Sequence, residues 1–339
     1  MSSATVERPA AATSAEGSRP LLRWMLGRIL GGLGVLVFLS AVVFTATNAI
    51  PGSIVDALLG TDATPSARAQ LETRLGLDDP FFERYLTWAA HLLSGDFGHS
   101  LADDSAIGPQ LWSAAGHSLI LAAVASVVTI PVSIALGTLA GLKPGSGPVK
   151  VVNGLSFLLL CVPEFVLGMF LVLLFAVWIP AFPAISGVDG GSSMAEWAAA
   201  LVLPALTVIP GSVAFLIRVL RFQVADTNRE DFIRMAPLRV GYSRRRTIGR
   251  HVLPNTLAPT ASAMALNLVH VVTGLAVVET LFQYPGLGML LYNSIGLHDI
   301  PVVQACALAI GAIVIVLNIV ADLIARLLDP RVGTLEQAR

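Results

Sequence analysis

Charge is what this sequence has least of. Asp, Glu, Lys and Arg make up 13% of its 339 residues and hydrophobic residues 55%, whereas a soluble domain carries about 25% charged residues. So few ionic groups cannot cover a surface that faces water on all sides, so much of this surface must face lipid. The net charge of −1 excludes a broadly basic nucleic-acid binder. The two cysteines, Cys161 and Cys306, lie inside apolar runs, which excludes a disulfide framework and a Cys-rich metal scaffold. The two lysines follow Leu142 and Val149, so the Gly-Lys pair of a phosphate-binding P-loop is missing. HExxH and CxxC are missing too. Val240-Gly241-Tyr242 has the letters of a potassium filter but sits in the most basic loop of the chain. His270 stands alone in an apolar run, with no spacing that makes a catalytic group of it or of the neighbouring serines. These absences favour a transport component over an intramembrane enzyme.

What is present is apolar length. A hydrocarbon core of roughly 30 Å needs about 20 apolar residues in a helix. Six segments qualify, at about 29–50, 117–142, 151–180, 199–221, 262–284 and 302–328. The spacing predicts an all-α polytopic membrane protein. Pro163 inside the third span predicts a kink or a tilt. The first 20 residues read as a disordered tail, and the apolar run behind them suits an uncleaved signal anchor better than a cleaved leader. Basic residues set the orientation. Eighteen fall on one side of the six spans and three on the other. The richer side is expected to be cytoplasmic, with both termini inside and the 51–116 loop outside.

The 222–261 connection carries the most organisation. Thr227 with Glu230 forms the pattern of a capping box. A short helix with Phe232, Met235 and Ala236 on one face is expected after it. Gly241 permits a left-handed turn, and Ser243 can cap a second short helix ending near Val252. Leu253-Pro254 then returns the chain to the membrane. A unit that is apolar on one side and arginine-rich on the other, with Arg245 among its bases, can bind a partner protein or lie on anionic lipid.

In this loop Ala236, Gly241, His251 and Leu253-Pro254 stand in the register of the EAA signature, and the loop resembles that of permease subunits in binding-protein-dependent ABC importers. Met235 stands where the signature has Glu, Pro237 replaces its second Ala, and Asp231-Phe232 lies one residue further from the Gly than in the peptide branch. Leu75-Gly-Leu-Asp-Asp-Pro80, Tyr85 and Gly95-Asp-Phe-Gly-His-Ser100 resemble the first external loop of the B-type permeases of dipeptide, oligopeptide and nickel importers. Glu279-Thr-Leu-Phe-Gln-Tyr-Pro-Gly-Leu-Gly288, Asp299-Ile-Pro-Val-Val-Gln304, Asn318 and Asp329-Pro-Arg331 resemble that family's final third. The similarity covers about residues 21–334, leaving 1–20 and 335–339 as tails.

The resemblance implies a MetI-like permease fold and half of a translocation pathway, with a short peptide as cargo or, alternatively, nickel or another small solute. It implies a homologous second permease, two ABC ATPase subunits and an extracytoplasmic solute-binding protein. ATP and magnesium would be bound by the ATPases, with no cofactor in this chain. It also makes Asp231, Phe232, Met235, Ala236, Gly241, Arg245, His251, Leu253 and Pro254 the ATPase-coupling residues. Glu164, about 13 residues into the third span, is the best pathway-facing carboxylate, able to attract an amine or a cation. Glu279 and Asn267 join it as pathway candidates, although Asn153, Asn267 and Asn318 suit interhelical bonds at least as well. Asp322 with Arg326 reads as an i,i+4 pair. Asp79, Tyr85, Asp96 and Phe97 are the candidate contacts to the binding protein, and Pro80–Leu93 is expected to form an amphipathic helix. A self-sufficient secondary transporter is the main rival and would show more spans and internal repeats.

Overall fold

A computed structural model describes residues 18–48, 64–66, 79–187, 191–233, 235 and 243–328, and these are almost entirely helical. In chain order the helices are α1 (Ser18–Asn48), α2 (Phe81–Leu93), α3 (Ile107–Leu142), α4 (Gly147–Cys161), α5 (Glu164–Val172), α6 (Met194–Thr227), α7 (Arg244–Thr247), α8 (Leu253–Phe282), α9 (Leu287–Gly296) and α10 (Ile300–Leu328). Five helices are long and apolar enough to cross a bilayer. The α4–α5 pair, continued by the π-helical segment Leu173–Trp178, is bent by 101° at Val162-Pro163 rather than kinked and makes a sixth span if it is counted as one. The all-α polytopic expectation is borne out in this form.

Span edges differ from expectation where a proline or a polar residue masked the helix. α3 begins ten residues before the expected 117, at Ile107. Gly108-Pro109-Gln110 looks like a break, yet Pro109 lies in the first turn, where the missing donor has no helical partner to lose. α6 runs on to Thr227, so Thr227 ends a helix instead of capping the next, and Ser193 with Glu196 forms the capping box that starts α6. Proline within α6 is tolerated because the released carbonyl is used. Pro204 cannot donate to the Ala200 carbonyl, which instead accepts from the buried Ser186 hydroxyl at 2.6 Å.

α3 and α6 run side by side in the same direction and form the centre. Thr129, Ser133, Gly137 and Gly141 repeat every four residues on the buried face of α3, a small-residue stripe that lets backbones approach in lipid. A Cβ at Gly141 would lie 2.6 Å from the Val224 Cβ and 2.8 Å from the Arg221 carbonyl oxygen. Gly141→Ala is therefore expected to cost about 1–3 kcal/mol as overpacking. The thermal midpoint of the purified chain in detergent checks this, with Gly116→Ala, which meets nothing within 4 Å, as the neutral comparison.

One end of the bundle gathers the basic residues. There Val224, Ile233 and Val252 form a small core with Leu142. Asp322, expected to pair within α10, meets Arg28 of α1 at 3.0 Å, and Trp24 lies beneath the guanidinium of Arg326. At the opposite end α2 lies against α1, with Phe44 ringed by Phe81, Tyr85 and Trp88 at 5.2–5.5 Å. Gln304 of α10 donates to Thr47 of α1 at 2.7 Å.

Candidate functional site

The opposite end is organised around a buried carboxylate. Glu279, in the last turn of α8, is 1% exposed. It accepts from the Ser118 hydroxyl of α3 at 2.6 Å and from the Gly288 N–H at 2.7 Å. Ser118 in turn accepts from the Leu287 N–H at 2.9 Å. The first free N–H groups of α9 are thus capped by residues of two other helices. The Tyr284-Pro-Gly-Leu-Gly288 turn exists to make this possible. Gln283 takes a left-handed conformation to end α8, the Tyr284 hydroxyl donates to the His117 carbonyl at 3.0 Å, and the His117 ring lies 3.0 Å from the Pro285 carbonyl and stacks on Trp197. The structure places Glu279 inside this lock.

Glu164 lies where the α4–α5 pair breaks. Pro163 denies the chain a donor, Val162 and Pro163 are extended, and Glu164 opens the new helix. Its half-buried carboxylate sits between two glycines of neighbouring helices. A Cβ at Gly274 of α8 would come 2.9 Å from Oε2, and one at Gly211 of α6 would come 3.9 Å from Oε1. His270, one turn before Gly274, is near enough to interact electrostatically with the carboxylate but forms no ion pair with it. Asn267 lies on the same stripe of α8, 4% exposed, and its Oδ1 has no hydrogen-bond partner among the described residues.

At the basic end the chain leaves α6 at Thr227 and folds back at once. Ile233 is buried, whereas Phe232 beside it is 52% exposed and Met235 40% exposed. Asp231 is exposed too. Ser243 caps α7, its hydroxyl accepting from the Arg246 N–H at 3.4 Å. Arg245 is exposed. Beyond α7 a π-helical turn, Ile248–Val252, holds His251 and leads straight into α8. Leu253-Pro254 thus continues a rod instead of re-entering after a break, since Pro254 sits at a helix start where the wider turn absorbs its missing donor. Ala236, Pro237 and Gly241 lie outside the described residues.

The model of the family described as "binding-protein-dependent transport system inner membrane component" matches residues 133–334, more than half the chain. The chain belongs to this family. The family's N-terminal companion matches residues 21–128. Among relatives, the oligopeptide transport system permease protein AppB of Bacillus subtilis is 27% identical over 91% of this chain and 98% of its own length. The nickel import system permease protein NikB of Staphylococcus aureus is 29% identical over 92% of each. A Brucella ovis protein, provisionally named a peptide permease, is 29% identical over 92% of this chain and 99% of its own. The chain is thus a multi-pass inner-membrane permease subunit of the ABC importer type, which works with an ATPase and a binding protein.

Within this permease the family motifs of the first and last thirds meet. Asp299, 3% exposed, accepts from the Ser100 hydroxyl at 2.5 Å and from the Leu101 N–H at 3.2 Å. The motifs were legible one by one in the sequence, but nothing in it signals that residues 199 apart touch. Ser118 and His117 gave no signal either. Of the external-loop candidates, Asp79 and Asp96 are exposed, and Asp96 Oδ1 accepts from the Gly98 N–H. Tyr85 and Phe97 turn inward instead. They line an apolar groove of about 360 Å³ between α1, α2, α3 and α10, and the Tyr85 hydroxyl lies 2.9 Å from that of Ser40.

Proposed function

We propose that this permease forms half of an ATP-driven pathway that brings short peptides, delivered by an extracytoplasmic binding protein, into the cell. A homologous second permease would supply the other half, and two ATPase subunits would bind ATP and magnesium. This chain makes and breaks no covalent bond. The end with the basic residues faces the cytoplasm in this reading, with both termini there, as the 18 to 3 distribution of Lys and Arg favours.

The observation that carries the coupling part is the split at 232–235. Ile233 packs with Val224 of α6, Val252 of the π-helical turn and Leu142 of α3, while Phe232 and Met235 stay exposed. An apolar pair left exposed in an arginine-rich loop has the chemistry of a docking knob. Because α7 continues into α8, a push on the loop moves a transmembrane rod directly. Glu279 is better suited to locking α9 than to meeting cargo, since its oxygens are already taken.

The similarity to NikB favours a second reading in which the cargo is a nickel chelate. Gentle detergent purification of the tagged chain from its native membrane tests the assembly. ATPases and a second permease should come with it in fixed ratio, and a chain that comes out alone would overturn the reading. Uptake of radiolabelled dialanine against radioactive nickel by the same strain decides the cargo.

A further inference from the structure

The α4–α5 break places a carboxylate in the bundle with no Lys or Arg opposite it and His270 as the one titratable base nearby. Between Val151 and Ile217, and again from His251 to Ala325, the sequence has no Lys or Arg. Glu164 forms no hydrogen bond or ion pair with any described residue. A carboxylate in the first turn gains from the helix dipole, but that gain is smaller than the cost of a charge at membrane depth. Something else has to justify it.

Unused acceptors gather around the break. α4 ends at Cys161, and none of its last carbonyls accepts a backbone N–H from outside the helix among the described residues. Along α8, Gly274, His270 and Asn267 form one stripe at a spacing of seven residues, or roughly 10 Å. The buried Asn267 Oδ1 is again an unused acceptor. Gly274 and Gly211 provide the room, since a side chain at Gly274 would press on Oε2. The donors on this stripe, the His270 imidazole and the Asn267 amide, make no hydrogen bond to Glu164, so the carboxylate and these acceptors suit a donor that is positively charged and small.

We propose that the α4–α5 break is the recognition point for the ammonium group of a cargo peptide, with Glu164 as its counter-charge and the Gly274–His270–Asn267 stripe as the wall along which it moves. This rests on the peptide reading above and adds the part of the cargo that is read. A free amine donates three hydrogen bonds, enough to engage the carboxylate and helix-end carbonyls together.

The test is uptake of radiolabelled dialanine and of N-acetyl-dialanine by the complete importer. The unaltered importer should prefer the free amine by about tenfold, the size of one charge-assisted hydrogen bond. Glu164→Gln, which keeps the shape, should reduce dialanine uptake by about that factor and bring the two peptides level, and Glu164→Asp should restore much of the preference. A ratio unchanged in Glu164→Gln, even with both rates lower, would overturn the proposal and leave Glu164 as a helix-start residue. If Glu164→Gln does not assemble, Gly274→Ala decides, because it keeps the carboxylate and crowds it. A narrowed ratio supports the proposal, and a normal ratio overturns it. No uptake of dialanine by the unaltered importer would overturn the peptide reading and this proposal together. Uptake that Glu164→Gln leaves intact overturns the proposal alone.

Discussion

Gly288→Ala is expected to release α9 from the bundle. The added Cβ would lie 2.3 Å from the Ala276 Cα and 2.7 Å from the Ala276 Cβ, both in the body of α8, and 2.9 Å from Glu279 Oε2. A flexible side chain could swing away from such a contact, but a backbone atom cannot. The Gly288 N–H is also one of the donors that hold the Glu279 carboxyl, so moving α9 outward to relieve the clash breaks a hydrogen bond in a dry place. Overpacking and the lost bond together amount to roughly 3 kcal/mol or more. Glu279 would then be buried with fewer partners, and Ser118 would lose the Leu287 donor as well. The measurement is the thermal midpoint of the detergent-solubilised chain beside its level in the membrane. Both should fall clearly, while Gly296→Ala, at the far end of α9 and meeting nothing within 4 Å, should change neither. A Gly288→Ala chain as stable as the unaltered one would mean that α9 does not dock through this turn.

That turn shows what a sequence does and does not disclose. Six apolar runs give the spans because lipid imposes length, and length survives any packing. Pairing is different. Nothing in Glu279 or in Ser118 alone says that they meet, because each is one polar residue in a long apolar helix. Glu279 therefore read as a pathway candidate, and Ser118 was not singled out. Asp299 with Ser100 is the same case, and here even the motifs that hold them were visible. Prolines misled in both directions. Leu253-Pro254 looked like a re-entry point and stands at a helix start, whereas Pro163 looked like a kink and breaks its span by 101°. The difference is position relative to the first turn, which a hydropathy window cannot see. In the basic-end loop, the sequence put Phe232 and Met235 on an apolar face. The residue that the fold buries is Ile233, between them.

Phe232→Asp is expected to abolish coupling while leaving the chain intact. Phe232 is 52% exposed and its neighbour Ile233 is 4% exposed, so one loop offers a surface position and a core position side by side. An acidic residue at an exposed site away from caps and cores changes stability by about 0.5 kcal/mol or less. The same residue pressed into a partner's apolar groove loses the aromatic anchor and buries a charge, a cost of about 2 kcal/mol or more, or roughly 30-fold in affinity. Phe232→Asp should therefore insert normally and keep its thermal midpoint, yet lose co-purifying ATPase and at least about tenfold in uptake. Ile233→Asp should lose everything, because Val224 and Val252 close over that side chain. Met235→Asp should follow Phe232→Asp, being exposed on the same short segment. The contrast is what makes the pair informative. If both Phe232→Asp and Ile233→Asp lowered the midpoint, the loop would be structural throughout. If Phe232→Asp kept both ATPase and uptake, the partner would be gripping the arginines of α7 instead, and substitution of Arg244, Arg245 and Arg246 would be the variant that uncouples. Either way the force has one short route into the membrane, because α7, the π-helical turn and α8 form a single rod that begins at Arg244 and ends at Phe282.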